Sequence, residues 1–247
     1  MSDLVEVLDW DSRFFGFPIG RVVVTQLDEG GMVALLGQAR ERGLRCLYFQ
    51  VDPNDAISVR LAERHGFHLV DVRIVLEHPF SDRPAPVPRY PVSPLIEIGG
   101  ARAAEAPVLE DIAVEIGYTS RFCFDVDFPR DACPRLYRAW LAKALQDETR
   151  AVLVARIADQ PVGLIACSQG GDDTGGIELA GVRKGMRGRG VGTALVQAAL
   201  DWFRRQGMSR VEVVTQARNV PAQRLYQQMG FFTRRMTLYY HKWLVRD

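Results

Sequence analysis

Neither cysteine nor histidine is used in this chain as a metal or redox centre would use it. There are four of each in 247 residues. Cys46, Cys123, Cys133 and Cys167 show no CxxC spacing and have no histidine at ligand distance, so neither a metal site nor a disulfide is expected. His65 and His68 are near neighbours, but Gly66 between them belongs to a helix-closing turn, which makes them surface histidines rather than paired ligands. No stretch approaches the roughly 20 apolar residues of a membrane span. The acidic start MSDLVEVLDWD lacks the basic and then apolar plan of a signal peptide, so a cytoplasmic protein with no membrane partner is expected. Charge of one sign is also missing: 31 Lys and Arg stand against 30 Asp and Glu, a net +1. Nothing global therefore points to nucleic acid, and any anion site must be a local cluster. What is present is apolar residue, 47% of the chain, enough to fill the core of one large domain or two small ones.

The segment HPFSDRPAPVPRYPVSP carries six prolines between Pro79 and Pro94, residues excluded from helix interiors and central strands. It divides the chain into residues 1–80, a linker at 81–94, and residues 95–247. The first part begins with LDWDSRFFGFPIGRVVV. An amphipathic helix ending near Gly43, a strand near 45–51, a helix near 55–65 and a strand near 68–77 follow. The second part opens with a strand at 95–98 and a helix around 105–117. Next comes the helix CPRLYRAWLAKALQD, with Leu136, Trp140, Leu141 and Leu145 on one stripe. AVLVARIA, PVGLIACSQ and GGIELAGVR then read as an antiparallel meander. A helix from 190 to 206 with Val191, Leu195, Ala198 and Trp202 at helical spacing, the strand RVEVVTQ, the helix PAQRLYQQM and the strand FTRRMTLYYHKWL complete a mixed α/β pattern.

The chain also repeats itself. Shifted by 164 positions without a gap, Arg40 falls on Arg204, Gly43 on Gly207, Arg60 on Arg224, Leu61 on Leu225, Gly66 on Gly230 and Phe67 on Phe231. Two units are too few for a solenoid and indicate two related halves. They differ where chemistry would reside: Asp55 and Ala62 stand opposite Asn219 and Tyr226, and Val24, Gln26 and Asp28 stand opposite Gly188, Gly190 and Gly192.

Those glycines belong to ELAGVRKGMRGRGVGTALVQAAL, a strand running through a turn with Gly185, Gly188, Gly190 and Gly192 into a helix. Glycine lets the backbone approach a ligand, and the first N–H groups of a helix have no internal partner, so the turn is a ready phosphate site. Arg183, Lys184, Arg187 and Arg189 supply the local positive cluster. A dinucleotide fingerprint would need a small residue where Thr193 stands and a preceding βαβ unit rather than a meander. A P-loop would need Gly-Lys-Ser/Thr. A solvated basic turn would not need four glycines.

RGRGVG, from Arg187 to Gly192, resembles the Gln/Arg-x-x-Gly-x-Gly/Ala signature of the GNAT superfamily of acyl-CoA-dependent N-acetyltransferases. TQARNVPAQRLYQQMGF resembles that superfamily's second signature, asparagine, alanine, Leu-Tyr and Gly-Phe. The resemblance covers residues 95–247. It implies a mixed, mostly antiparallel sheet with flanking helices, preceded by a smaller degenerate copy, and acetyl-CoA as co-substrate with no metal. It implies that backbone N–H groups of Arg187, Gly188, Arg189, Gly190, Val191, Gly192 and Thr193 hold the pyrophosphate. Leu179, Ala180, Gly181 and Val182 would line the pantetheine arm, helped by Asn219, and Tyr226 would protonate the departing thiolate. One active site per chain and a homodimer follow from the same resemblance.

For the acceptor, LDWDSRFFGFPIGRV and YTSRFCFDVDFPRDACPRLYRAWLAKAL are similar to the TDP-fucosamine acetyltransferases. That likeness implies a small-molecule amine, dTDP-4-amino-4,6-dideoxygalactose, in surface-polysaccharide synthesis. Arg121 is a candidate for the diphosphate or a surface arginine packed on Phe122. Phe15, with Phe14 and Phe17, walls a deoxysugar or fills the core. Glu178 orders a proton-accepting water or is a solvated charge. A peptide, antibiotic or polyamine acceptor, and a non-catalytic acyl-CoA sensor, are the other classes compatible with the motifs.

Overall fold

The computed structural model describes residues 3–24, 27–80 and 93–244; Gln26 and most of the 81–94 segment lie outside the described residues. The chain forms two compact units that are not contiguous in sequence. One is Met1–Arg73 with Phe124–Arg130 and Met236–Asp247; the other is Ile74–Cys123 with Asp131–Arg235.

In the first unit, β1 (Val5–Val7) leads to a short helix, α1 (Asp9–Phe15), which Gly16 ends at φ +82. After β2 (Ile19–Val22) comes α2 (Glu29–Glu41). Its N-terminus is closed by the chain's own carboxylate, since Asp28 Oδ1 accepts from the Gly31 N–H at 2.7 Å. β3 (Cys46–Val51), α3 (Ala56–Arg64) and the start of β4 (His68–Pro79) follow. β1 and β2 are antiparallel, whereas β2 and β3 are parallel with Ile19 opposite Cys46. Met32, Leu35, Leu36 and Ala39 of α2 and Leu61 of α3 pack on Leu47, Phe49 and Phe67.

In the second unit, β5 (Glu97–Gly100) is followed by a single 3₁₀ turn and α4 (Ala106–Gly117). A buried bidentate pair fixes this helix entry: Arg156 Nε and Nη2 donate to Glu105 Oε1 and Oε2 at 2.6 and 2.7 Å. The Arg156 guanidinium holds the Glu105 carboxyl below its usual range. Then come α5 (Arg121–Phe124), α6 (Ala132–Gln146) and the strands β6 (Arg150–Ile157), β7 (Gln160–Gln169) and β8 (Thr174–Val182). These strands are the expected antiparallel meander, with β5 on the β6 edge. α7 (Val191–Arg205), β9 (Arg210–Gln216), α8 (Val220–Gln228) and β10 (Phe232–Trp243) complete a mixed α/β fold whose strand pairings are mostly antiparallel. The end of β10 belongs to the first unit, where Leu238–Trp243 pair antiparallel with Val51–Cys46 of β3.

The helix faces differ in detail from the sequence pattern. α7 buries Ala194, Leu195, Ala199, Leu200 and Phe203, leaving Ala198 and Trp202 half-buried; α6 buries Cys133, Leu136, Tyr137, Leu141 and Ala144 and exposes Leu145. Each large side chain so buried contributes about 1.5–3 kcal/mol. One expectation is corrected. Cys123 and Cys133 form a disulfide, their Cα atoms 5.5 Å apart, because the chain turns back between α5 and α6. No motif spacing signals such a fold-dependent approach. Cys46 and Cys167 are buried and take no part in a disulfide.

The repeat carries over into the secondary structure. α3 and α8, and β4 and β10, occupy the same residue ranges under the 164-residue shift. Their helix-closing bonds repeat too: Phe67 N–H donates to the Ala62 carbonyl at 2.9 Å and Phe231 N–H to the Tyr226 carbonyl at 3.0 Å. Asp55 and Asn219 each cap their helix through a side-chain oxygen.

Candidate functional site

A parallel pair that comes apart creates the site. β8 and β9 are in register from Thr174–Arg210 only as far as Ile177–Val213, although β8 continues to Val182 and β9 to Gln216. β8 stays paired with β7 from Gly175 to Val182 apart from a register slip at Glu178, so it is the β9-facing edge that is released. At the end of β8 the direction of that edge can be read. The Arg183 N–H donates to the Val162 carbonyl of β7, so strand alternation turns the Val182 N–H and carbonyl to the other side. That carbonyl accepts from a side chain beyond the strand, Arg187 Nε at 3.0 Å.

Helices close the wedge on its two faces. A Cβ on Gly181 would meet Ile116 of α4 at 2.3 Å, and one on Gly163 would meet Val191 of α7 at 3.1 Å, so glycine lets both helices lie close to the strands. The turn after β8 makes one 3₁₀ turn, Lys184–Met186, and enters α7 through Gly188 at φ +75 and Gly190 at φ +82. Gly190 is the N-cap and offers no side-chain cap, which leaves the first-turn N–H groups of α7 facing outward. The turn is braced by α4: Lys184 N–H donates to Glu115 Oε2 at 2.9 Å, and Arg187 lies 3.7 Å from the same carboxylate.

The resulting cleft has a volume of about 1480 Å³. Ala180, Gly181, Val182, Arg187, Gly188, Arg189, Gly190, Gly192, Thr193, Asn219 and Tyr226 all line it. Tyr226 is only 4% exposed, its ring 5.4 Å from that of Phe231. Burial, and then the neighbouring Cys167, pushes its hydroxyl pKa upward, so the phenol stays protonated. Asn219 Oδ1 caps α8 by accepting from Ala222 N–H at 3.4 Å. An open, glycine-built helix N-terminus among cations, beside a released strand edge and a protonated tyrosine, can take a long phosphorylated ligand and donate a proton at its inner end. Residues 114–231 match the Acetyltransferase (GNAT) family.

The chain carries a GNAT acetyltransferase domain. Over 234 residues it is 25% identical to the dTDP-fucosamine acetyltransferase of Escherichia coli O6:H1, with 92% of each chain covered. Over 150 residues it is 26% identical to the spore coat polysaccharide biosynthesis protein SpsD of Bacillus subtilis, covering 61% of this chain and 52% of that protein. The chain thus spans about half the length of the latter relative. A GCN5-related N-acetyltransferase from Sphaerobacter thermophilus shares the fold, with a TM-score of 0.69, 21% identity and coverage of 97% and 76%.

Other residues singled out from the sequence are not among those that line this cleft. Leu179 and Val191 are buried in strand and helix packing. Glu178 is not in the lining and pairs with Arg150 at 2.7 Å. The Arg121 guanidinium is 4.2 Å from the centre of the Phe122 ring. Phe15 is buried in the first unit against Phe17 and Phe128. Conversely, Glu115, Ile116, Tyr118, Thr119 and Arg218 line the cleft without having been singled out. The first four come from α4 and its end, which the sequence marks only as an amphipathic helix; Arg218 stands beside Asn219 inside the second signature. Among the described residues no group of three metal-ligating side chains forms, and no helix is long and apolar enough to cross a membrane.

Proposed function

We propose that this chain is an acetyl-CoA-dependent N-acetyltransferase acting on the amine of an amino-deoxysugar carried by a nucleoside diphosphate, dTDP-4-amino-4,6-dideoxygalactose being the first substrate to test. The observation that supports the activity most directly is the splayed β8–β9 edge leading to an uncapped, glycine-built helix N-terminus. Bound acetyl-CoA supplies a thioester carbonyl for the amine to attack. Backbone N–H groups at the start of α7, with Arg187 and Arg189, hold the pyrophosphate, and the freed edge of β8 holds the pantetheine arm. The Val182 N–H, turned away from β7, meets the negative charge that grows on the carbonyl oxygen. Tyr226, kept neutral by burial, gives its proton to the sulfur as the thiolate leaves.

The first half serves as scaffold. Ala62 replaces the tyrosine, and the Asp28 carboxylate fills the end of α2 where an external anion would sit. A cytoplasmic homodimer is part of the same proposal. The acceptor class draws support from the dTDP-fucosamine enzyme, which is similar along 92% of both chains. Arg121 and Phe15 remain candidates for the sugar nucleotide, and Glu178 for ordering a water. The test is a panel of dTDP-amino sugars, spermidine, aminoglycosides and N-terminal peptides, each followed by coenzyme A release. Turnover of a sugar nucleotide well above the others is expected. Efficient acetylation of a peptide or polyamine, with none of a sugar nucleotide, would leave an acetyltransferase with a different acceptor. Tight acetyl-CoA binding without any turnover would indicate a sensor.

A further inference from the structure

We propose that Cys123–Cys133 is a thiol–disulfide exchange site that takes a dithiol at the sulfur of the exposed Cys123 and thereby controls the wall of the cleft made by Tyr118 and Thr119. The two sulfurs have unlike surroundings. Cys123 is exposed, whereas Cys133 is 2% exposed and underlies the last turn of α4. A Cβ on Gly117 would meet the Tyr137 ring at 2.9 Å and Cys133 Sγ at 3.2 Å, so this backbone rests directly on the buried sulfur. The next two residues, Tyr118 and Thr119, line the cleft. Tyr118 is 73% exposed, and Thr119 Oγ1 donates to Gln216 Oε1 at 3.1 Å, at the end of the splayed strand β9. The disulfide fastens the far end of this wall, since α5 follows directly and carries Cys123.

The reduced form is also accommodated. Cys133 Sγ lies 3.5 Å from the Gly117 carbonyl oxygen and 3.7 Å from Ser120 Oγ, so the freed thiol has an acceptor in place. Exchange begins when a thiolate of the dithiol attacks Cys123 Sγ. A mixed disulfide forms, the Cys123–Cys133 bond breaks, and Cys133 leaves as a thiolate that takes up a proton. The second thiol of the reductant then attacks the mixed disulfide and releases Cys123, which is protonated in turn. Two electrons and two protons pass to the protein and the dithiol becomes a disulfide. An exposed cysteine bonded to a buried one with a waiting acceptor is the arrangement of a labile bond rather than of a sealed staple. The oxidised form holds Tyr118 and Thr119 against β9, and the reduced form lets residues 118–124 move.

The kinetic consequence rests on the proposed acetyltransferase reading, so the test has arms that do not need turnover. The full chain is equilibrated with oxidised or reduced dithiothreitol and desalted. Peptide mapping without reduction should show the 123–133 link only in the oxidised sample, and reduction should expose one fast-reacting thiol, Cys46 and Cys167 being buried. Amide exchange over residues 117–124 should rise at least about 5-fold on reduction. The acceptor KM should rise by a similar factor, with the acetyl-CoA Kd within 2-fold. Cys123→Ser, at an exposed position, should behave as reduced in both buffers. Failure of the link to form, or equal exchange over 117–124 in the two states, overturns the proposal, as does a KM unchanged by reduction. If no acceptor is turned over in either state, the functional reading fails and the exchange arm alone decides this one.

Discussion

Gly190→Ala separates the strain of a left-handed turn from the loss of a ligand site. Gly190 has φ +82, and an L-residue held there costs about 1–2 kcal/mol. If the turn relaxes to escape that cost, the N–H groups at the start of α7 lose their aim. Bringing them back on binding then weakens acetyl-CoA by about 5- to 30-fold, at 1.4 kcal/mol per factor of ten. Gly190→Val, β-branched at the same φ, should abolish measurable binding. The control is Gly66→Ala, which has nearly the same strain at φ +70 in the other half of the repeat. Its added Cβ would meet only the end of Lys242, with Nζ at 3.4 Å. Gly66→Ala should lower the melting temperature by about 2–4 °C per kcal/mol of strain while leaving coenzyme affinity untouched. Calorimetric titration of acetyl-CoA into the three proteins reads affinity and, in the same trace, a stoichiometry of one per chain. If Gly190→Ala bound acetyl-CoA within 2-fold of the parent while melting as low as Gly66→Ala, the strain would be real and the glycine turn would not be the coenzyme seat. Two coenzymes per chain would refute the reading of the first half as scaffold.

Tyr226→Phe keeps the ring against Phe231 and removes only the hydroxyl, so kcat should fall about 100-fold or more with the acetyl-CoA Kd within about 2-fold; a loss under 3-fold would withdraw the acid role. With the phenol pKa raised above its ordinary 10.0, the parent rate should climb as the acceptor ammonium loses its proton and show no falling limb from Tyr226 below that pH. Burial, and secondarily Glu178, pushes the Cys167 thiol from 9.0 up to about 12. The unfolded thiol therefore ionises first. This contribution to stability is whole below pH 9 and is lost between pH 9 and 12, at no more than about 1.4 kcal/mol per unit. Urea midpoints at pH 8, 9.5 and 10.5 should fall faster for the parent than for Cys167→Ala, and parallel slopes would contradict the shift.

Local punctuation made much of this fold legible. Gly43, Gly66, Gly207 and Gly230 all adopt positive φ at helix ends, as a closing glycine must, and this is why the repeat could be followed without a gap from α2 onward. Upstream the ruler changes. Ile19 is opposite Cys46, but Thr174 is opposite Arg210, an offset of 155 rather than 164. The second half therefore has extra chain between its parallel strand and its helix, and that chain holds the released edge and the glycine turn. The cleft was legible where it is made of motif backbone. It was not legible where α4 supplies the wall, because Glu115 and Tyr118 reach it through a helix crossing that no spacing encodes. Glu178 stands where β8 slips register against β7, between Ile177 and Leu179, and its carboxylate pairs with Arg150.

The pairing of β10 with β3 bears on how the chain is made. Residues 46–51 leave the ribosome well before their antiparallel neighbours, 238–243, are synthesised. Until residues 238–243 emerge, the first unit is one strand short, with Val51 and Phe49 lacking the backbone partners Leu238 and Tyr240. A fragment ending at the proline-rich segment would lack that strand, and loss of residues 236–247 would be felt at β3, far away in the sequence. Splitting this protein into separately expressed halves would have to carry the C-terminal strand across to the N-terminal piece.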